Sequence, residues 1–146
     1  MLELADPLAI RELIETYARC ADQRDARGWM SRFTTDVHCA VYMNGQDAEP
    51  ARGLHTRDAL SPIWAHFTQY DSTMHFVGQS TLFTLTNVRA TGEAYVLAHY
   101  ITVNATGRQL NLASIRYNDT FVKVDDVWLF SERLLYVDWV DERALS

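Results

Sequence analysis

The chain has 146 residues, of which 48% are hydrophobic and 22% are charged, and its formal net charge is −6. A chain of this length and composition can bury a continuous core, so we expect one domain spanning residues 1–146. The acidic balance includes no cluster of lysine and arginine, which argues against a nucleic-acid or anionic-membrane binder. A small organic molecule is the expected partner.

Cysteine usage and the N-terminal segment bear on the cellular location. Cys20 and Cys39 lie in a helical and a strand pattern without any CxxC or Cys/His ligand spacing, which is typical of reduced core thiols. The first residues include acidic side chains and lack the apolar stretch of a signal peptide, and no window is long enough to span a membrane. We therefore expect a soluble, cytoplasmic protein.

Two helices are predicted first. Asp6-Pro7 can supply an N-cap followed by a first-turn proline. Apolar residues then recur at helical spacing; they are Ile10, Leu13, Ile14, Tyr17, Ala18 and Ala21. Asp25 can cap a second, short helix. The apolar edge predicted for that helix consists of Trp29, Met30 and Phe33.

A strand pattern follows from Val37 to Met43, and a polar loop is then predicted as far as Gly53. A third helix is predicted after a Thr56 cap, and Pro62 either kinks this helix or marks its first turn. The apolar residues of this helix are Leu60, Ile63, Trp64 and Phe67.

From Thr73 onward the pattern has period two, which predicts four long strands joined by hairpins. The residues that punctuate the run are Thr91-Gly92, Thr106-Gly107-Arg108 and Asp125-Asp126. Helices followed by an antiparallel meander are typical of an α+β fold, and strands of this length must curl to bury one face.

Three charged or titratable residues are predicted on inward faces of these strands: His75 on the first, His99 on the second and Arg133 on the last. The neighbours predicted to share those faces are Val77 for His75, then Tyr95, Leu97, Ile101 and Val103 for His99, and Val127, Leu129, Leu135 and Val137 for Arg133. Because arginine does not lose its charge, Arg133 needs an anionic partner or a pocket. Asp22 follows the apolar stripe of the first helix, from where its carboxylate could reach His75.

The chemistry of such a pair is well defined. A carboxylate bonded to one imidazole nitrogen fixes the tautomer and leaves the other nitrogen as a base near neutral pH. Asp22 and His75 could therefore abstract a carbon-bound proton. Side chains that could stabilise the developing negative charge are Arg133, Tyr17 and Tyr42. Aromatic residues that would exclude water are Trp29, Phe33, Trp64 and Phe67.

Each candidate also has a structural interpretation. Asp22 could end the first helix or pair with a nearby arginine, and Arg133 could form an ion pair with Glu93 or Asp119. No spacing matches a metal-ligand, nucleotide-binding or serine-hydrolase motif. The histidines interpreted as exposed or packing residues are His38, His55 and His66.

Four parts of the chain together resemble the SnoaL-like, or polyketide-cyclase-like, branch of the nuclear-transport-factor-two-like superfamily. They are IRELIETYARCADQRDARGWMSRFTTD, Gly53, STMHFVGQSTLF and YNDTFVKVDDVWLFSERLL, so the similarity covers nearly the whole chain. The resemblance implies a cone-shaped α+β barrel, in which N-terminal helices wrap a strongly curved, mainly antiparallel mixed sheet around a deep pocket. It implies no metal and no organic cofactor.

The resemblance also implies roles for particular residues. In related dehydratases and dehydrochlorinases, an aspartate at the end of the first helix orients a histidine on the first long strand, and Asp22 and His75 match these positions. Arg133 matches an arginine that assists departure of a leaving group in the dehydrochlorinase. His99 and Tyr42 resemble a histidine and a tyrosine of scytalone dehydratase. These matches imply substrate contacts at Arg133, His99 and Tyr42.

The function implied is a cofactor-independent lyase or isomerase, in the form of a dehydratase, that acts on a small cyclic or polyketide-like substrate. A polyketide-cyclase or hydroxylase-type role is one alternative, and a non-catalytic ligand-binding or dimerisation module is another. Relatives assemble through the outer face of the sheet, so we expect a homodimer or homotrimer. Apolar residues predicted on the face of the last strand opposite Arg133 are Trp128, Phe130, Leu134 and Tyr136.

Overall fold

The structure is a computed structural model that describes residues 4–43 and 49–146. Within these residues the helices are α1 (Ala5–Asp22), α2 (Ala26–Met30) and α3 (Ser61–Thr68), and a 3-10 turn at Arg57–Leu60 leads into α3. The strands are β1 (Phe33–Met43), β2 (Arg52–His55), β3 (Ser72–Leu85), β4 (Arg89–Asn104), β5 (Gly107–Val124) and β6 (Val127–Leu145). No helix of the described part is long and apolar enough to cross a membrane.

Helix α1 buries the apolar stripe that its sequence predicts, but its start differs from the prediction. The helix begins at Ala5, and the preceding Leu4 offers no side-chain cap. Asp6 lies inside the first turn, where its carboxylate accepts a hydrogen bond from the Trp128 indole at 2.9 Å and pairs with Lys123 at 2.8 Å. Asp6 therefore ties the helix to the β5–β6 hairpin and does not act as its N-cap.

Helix α2 is capped by Asp25 as predicted, because the Asp25 carboxylate accepts a hydrogen bond from the Gly28 backbone N–H at 2.9 Å. A Cβ at Gly28 would lie 2.3 Å from that carboxylate, so the cap requires glycine there. The helix ends at Met30, and Phe33 begins β1. The placement of Phe33 on the helix edge was therefore wrong.

Pro62 lies in the first turn of α3. Of the two alternatives that the sequence left open, the first-turn position is therefore the one observed. Proline is tolerated there because the first N–H groups of a helix have no intrahelical partner. Thr56 precedes the 3-10 turn with a φ of 74° and makes no side-chain cap. The loop predicted before Gly53 includes residues 44–48, which lie outside the described residues, and its end forms β2, which pairs antiparallel with β1.

The described strands form one mixed, strongly curved and unclosed sheet in the order β2-β1-β6-β5-β4-β3. Among these described strands, only β1 and β6 pair in parallel. The hairpin turns after Asn104 and at Asp125-Asp126 are confirmed, whereas Thr91-Gly92 lies inside β4 and is not a turn. Gly92 is needed for a different reason: a Cβ there would lie 2.5 Å from the Thr81 carbonyl oxygen on β3.

The inner face of β4 is the opposite of the one predicted. The residues buried on this strand are Ala90, Gly92, Ala94, Val96, Ala98 and Tyr100. His99 and its predicted companions Tyr95, Leu97, Ile101 and Val103 therefore point to the outer face. Because both faces of β4 carry apolar residues, the alternation does not distinguish them, and the small alanines inside make the buried face look less apolar than the exposed one.

A β-bulge changes the faces of β6. Phe130 pairs with Phe121, whereas Glu132 pairs with Thr120, so Ser131 is an extra residue on β6. One inserted residue moves the following side chains to the opposite face relative to the preceding ones. A strict period of two across this point therefore assigns one half of the strand wrongly.

The bulge explains two errors in the predicted faces. Trp128 and Phe130 are buried on the same face as Arg133, not on the face opposite it. Leu135 and Val137 share the inner face with Arg133 as predicted, whereas Val127 and Leu129 do not. Leu134 and Tyr136 remain on the outer face.

Candidate active site

Asp22 is the last residue of α1, and its carboxylate accepts hydrogen bonds from β3. Its Oδ1 lies 2.7 Å from His75 Nδ1 and accepts a bond from the Thr73 hydroxyl at 2.9 Å, and its Oδ2 accepts the His75 backbone N–H at 2.9 Å. Burial by itself raises the pKa of Asp22, but the bonds from His75 and Thr73 outweigh it and hold this pKa below its ordinary value. Asp22 is therefore an ionised carboxylate held by hydrogen bonds from two residues of β3.

His75 lies on the inner face of β3 opposite Ala98 of β4, and its side chain is only 1% exposed. The ionised Asp22 carboxylate can only accept a hydrogen bond, so Nδ1 carries the proton and Nε2 holds the free lone pair of the neutral ring. Nε2 is buried and has no hydrogen-bond partner among the described residues. The neutral ring of this pair therefore has one nitrogen that is free to accept a proton.

A large cavity lies inside the curve of the sheet, next to His75. Its volume is about 780 Å³, which is in the range of small-molecule sites. The floor is apolar and includes Ile115, Leu135 and Val137 from β5 and β6, and α3 forms the opposite wall. The cavity can accommodate an organic molecule of several fused or substituted rings.

His75 does not itself line this cavity, but two aromatic residues that line it pack against the His75 ring. Phe67 of α3 and Tyr100 of β4 line the cavity, and their rings meet the His75 ring edge-on at centroid distances of 5.2 and 5.9 Å. Burial raises the pKa of Tyr100 well above its ordinary value, so its phenol is neutral and can donate a hydrogen bond. Because the His75 side chain is only 1% exposed, a ligand reaches Nε2 only if a neighbouring side chain moves.

Arg133 lies in the core and does not line the cavity. Its Nε donates to Asp119 Oδ1 at 2.8 Å, and its guanidinium lies 3.7 Å from the ring centroid of Tyr117 and 4.2 Å from those of Tyr17 and Phe130. Burial raises the pKa of Asp119 to about 6, and the charge of Arg133 opposes that rise. Of the predicted alternatives, the ion pair with Asp119 is the one observed.

The other predicted binding residues also lie away from the cavity wall. Tyr17, Trp29 and Phe33 are fully buried in an aromatic cluster between α1 and the sheet, and Trp64 packs on Trp29 at 5.4 Å. The remaining two predicted residues lie on the outer face of the sheet: Tyr42, which stacks on Tyr136 at 4.8 Å, and His99. These large aromatic residues fill the space between α1 and the sheet, because protein interiors are densely packed.

Several cavity-lining residues were not predicted: Arg52, His66, Gln69, Tyr70, Tyr100, Asn111 and Glu142. Tyr100 could have been found from the pairing of β3 and β4, since placing His75 inward puts Ala98 and Tyr100 inward as well. His66 was interpreted as an exposed or packing residue. Its side chain is exposed, and it lines the cavity. Among the described residues, no group of three or more His, Cys, Asp and Glu side chains is placed to hold a metal ion.

N-terminal helices, a curved mixed sheet and an aspartate–histidine pair beside an inner cavity define a class of protein, the cone-shaped α+β proteins with the nuclear-transport-factor-two-like fold. The model of the SnoaL-like domain matches residues 2–134, so the chain belongs to the SnoaL-like family. A comparison with curated proteins found none that matches the chain.

Solved structures support the fold. A scytalone dehydratase-like protein from Novosphingobium aromaticivorans is 20% identical with a TM-score of 0.82, over 98% of this chain and 91% of that one. A type 2 hexachlorocyclohexane dehydrochlorinase is 19% identical with a TM-score of 0.79, over 97% and 90%. A protein from N. aromaticivorans that resembles the beta subunit of aromatic-ring-hydroxylating dioxygenases is 17% identical with a TM-score of 0.76, over 95% and 94%.

Proposed function

We propose that the protein is a cofactor-independent lyase or isomerase of the dehydratase type, which acts on a small cyclic or polyketide-like substrate bound in the inner cavity. The observation that carries the proposal is the 2.7 Å hydrogen bond between Asp22 and His75, which leaves Nε2 without a partner beside a cavity of about 780 Å³. Structural relatives include a dehydratase-like protein and a dehydrochlorinase, whose named reactions are of this kind.

The base in this proposal is His75 Nε2. It removes a proton from the carbon next to a carbonyl group, and the carboxylate of Asp22 stabilises the imidazolium that forms. The electron pair of the broken C–H bond forms a C=C bond, and a hydroxyl group on the next carbon departs. The imidazolium returns the proton to that hydroxyl group, so water leaves. The Asp22–His75 pair, called the dyad below, then regains its starting state.

Tyr100 takes the role that the sequence had suggested for Arg133. The reaction places negative charge on the carbonyl oxygen, and a neutral phenol that lines the cavity can donate a hydrogen bond to it. Tyr100 meets this requirement, because it lines the cavity and its ring lies edge-on to that of His75. Arg133 is already committed to Asp119 and to three aromatic rings.

The test is elimination of water from a panel of cyclic β-hydroxy ketones, followed by the ultraviolet absorbance of the conjugated enone. The native chain is expected to accelerate at least one elimination, and His75→Gln is expected to abolish it. His55→Gln is the matched control, because His55 lies on β2 and does not line the cavity. Equal rates in the native chain and in His75→Gln would remove His75 from the mechanism.

One observation favours a second function, a non-catalytic subunit or binding module. His75 Nε2 is buried, and the rings of Phe67 and Tyr100 pack against its imidazole, as would suit a histidine that only supports the fold. A structural relative resembles a dioxygenase beta subunit. The two functions differ in whether solvent deuterium exchanges into a bound ketone: a native chain that binds cyclic ketones without exchanging their α-protons would be the binding module.

A further inference from the structure

The dyad leaves one polar corner of the cavity without a role. Arg52 of β2, His66 at the end of α3 and Gln69 just after it all line the cavity. None of them contacts Asp22 through a hydrogen bond or ion pair. The chemistry that this corner offers is set by which of its groups donate and which accept hydrogen bonds.

Gln69 determines the tautomer of His66. Its side-chain nitrogen lies 3.0 Å from His66 Nδ1 and 3.1 Å from the His66 carbonyl oxygen. A carbonyl oxygen only accepts hydrogen bonds, so the amide group facing it is the NH₂ donor, and Nδ1 is an acceptor. The ring proton of neutral His66 is therefore on Nε2.

His66 is neutral at pH 7. Burial lowers its pKa, and the positive charges of Arg52 and, when protonated, His75 lower it further. Neutral His66 with its proton on Nε2 presents one N–H donor from the cavity wall. It offers no free acceptor, because Nδ1 is occupied by Gln69.

Arg52 adds a permanent positive charge to the same corner. Its guanidinium makes no hydrogen bond or ion pair with another described residue, and guanidinium groups have five donors and no acceptor. Glu142 lines a different wall, in one cross-strand row with Asn111 and Tyr100. An anion would be attracted by Arg52 and repelled from the wall of Glu142, which gives it one preferred orientation.

We propose that Arg52 and His66 form a subsite for an anionic group of the substrate, with a carboxylate as the group that fits best. A carboxylate can accept two N–H bonds from the guanidinium and one from His66 Nε2, while the rings of the molecule pack on the apolar floor of Ile115, Leu135 and Val137. The inference rests on the proposed function and deepens it, because it names cyclic carboxylic acids as the substrate class.

The test is a binding comparison that needs no turnover. The carboxylate 2-naphthoate and its neutral counterpart 2-naphthamide are titrated against the native chain by calorimetry. The native chain is expected to bind 2-naphthoate about tenfold more tightly than 2-naphthamide. This ratio corresponds to the net contribution of one charge-assisted hydrogen bond to binding. Arg52→Gln is expected to remove most of this preference. Arg57→Gln, which removes the same charge from a residue that does not line the cavity, is expected to retain it.

Three results would overturn the subsite: equal affinity of the native chain for both probes, an undiminished preference in Arg52→Gln, or no binding of either probe. Thermal unfolding of each variant shows whether it is folded. His75→Gln separates this inference from the proposed function, because a subsite at Arg52 keeps its carboxylate preference in that variant. If elimination is never observed but the preference holds and depends on Arg52, the subsite stands and the lyase proposal fails.

Discussion

Asp22 accepts three hydrogen bonds from β3, and the role that we propose for it depends on its charge. The bonds from Thr73 and from the backbone of His75 hold the carboxylate in place, while the bond to His75 Nδ1 sets the tautomer. An amide in this position could keep the shape but not the charge. Replacing the carboxylate therefore separates the positioning of His75 from the stabilisation of its protonated form.

Asp22→Asn is predicted to reduce elimination by about 10²–10⁴-fold, because the imidazolium loses its counter-charge and the ring loses its enforced tautomer. The measurement is kcat and KM on whichever ketone the native chain turns over. Asp25→Asn is the matched control, since Asp25 caps α2 and lies outside the dyad. A kcat equal to the native value in Asp22→Asn would contradict the role assigned to the dyad.

The lowered pKa of Asp22 also predicts how stability depends on pH. A carboxylate whose pKa is lower in the folded state stabilises the fold above its unfolded pKa, and this contribution is lost as the pH falls through the folded pKa. The melting temperature of the native chain should therefore fall more steeply below about pH 4 than that of Asp22→Asn. Parallel melting curves for the two proteins across that window would show that Asp22 contributes nothing to acid stability.

Arg133 illustrates how a buried charge can be structural. Removing it in Arg133→Met leaves Asp119 buried without a partner, so we predict a loss of about 3–5 kcal/mol in the free energy of unfolding. The double variant Arg133→Met/Asp119→Leu should recover much of this loss, because no unpaired charge remains. Urea unfolding measures both. Arg143→Gln, which breaks an exposed pair with Asp141, should have little effect.

A double variant as unstable as Arg133→Met would contradict this explanation. It would mean that the guanidinium stabilises the core chiefly through Tyr17, Tyr117 and Phe130, whose rings surround it. The ion pair with Asp119 would then be secondary.

At the scale of elements, α3 carries the side chain that contacts both His75 and the cavity. Phe67 lies on this helix, is almost fully buried, and packs edge-on against His75 at 5.2 Å while it also lines the cavity. Its ring is thus in contact with the imidazole and is also part of the cavity wall. We therefore expect that removal of this ring exposes His75 to the cavity.

Phe67→Ala is predicted to make His75 several times more reactive toward diethylpyrocarbonate, because a ring that packs against the imidazole and lines the cavity is gone. Modification of His75 is followed by mass spectrometry of proteolytic peptides. Phe76→Ala is the control: Phe76 lies one residue beyond His75 but is 61% exposed on the outer face. An unchanged rate at His75 in Phe67→Ala would show that Phe67 does not limit access.

For the whole molecule, the outer face of β3 and β4 is the surface that we propose for self-association. Met74 and Phe76 pair with His99 and Leu97 across the two strands, so all four side chains lie on one face. Met74 and Phe76 are 52% and 61% exposed, which is a large exposure for two neighbouring apolar side chains on one face. The sequence predicted Trp128 and Phe130 as part of the association surface, but both are buried in the core and cannot contribute to it.

We predict that the native chain is a homodimer or homotrimer at micromolar concentration and that Phe76→Lys shifts it toward the monomer. Light scattering after size-exclusion chromatography gives the mass of each. Leu8→Lys is the control, because Leu8 is equally exposed but lies on α1. A monomeric native chain would refute the expectation, and an unchanged oligomer in Phe76→Lys would place the interface elsewhere.

The sequence alone determined the features that depend on local patterns and on residue chemistry. Helical spacing located α1, the Asp25 cap located α2, and period two located the long strands, because each pattern reflects contacts within a few residues. The pairing of Asp22 with His75 was also predicted, since a carboxylate at a helix end and a histidine on an inward strand face match a family motif.

Only the tertiary structure decided which face of each strand is inside and which inward residues meet the cavity. The bulge at Ser131 reversed half of β6, and the apolar residues on both faces of β4 concealed that Tyr100, not His99, points inward. Arg52, His66 and Tyr100 are brought together from three separate elements. Such proximity follows from strand register and sheet curvature. Both are set by long-range packing and produce no periodic pattern in the sequence.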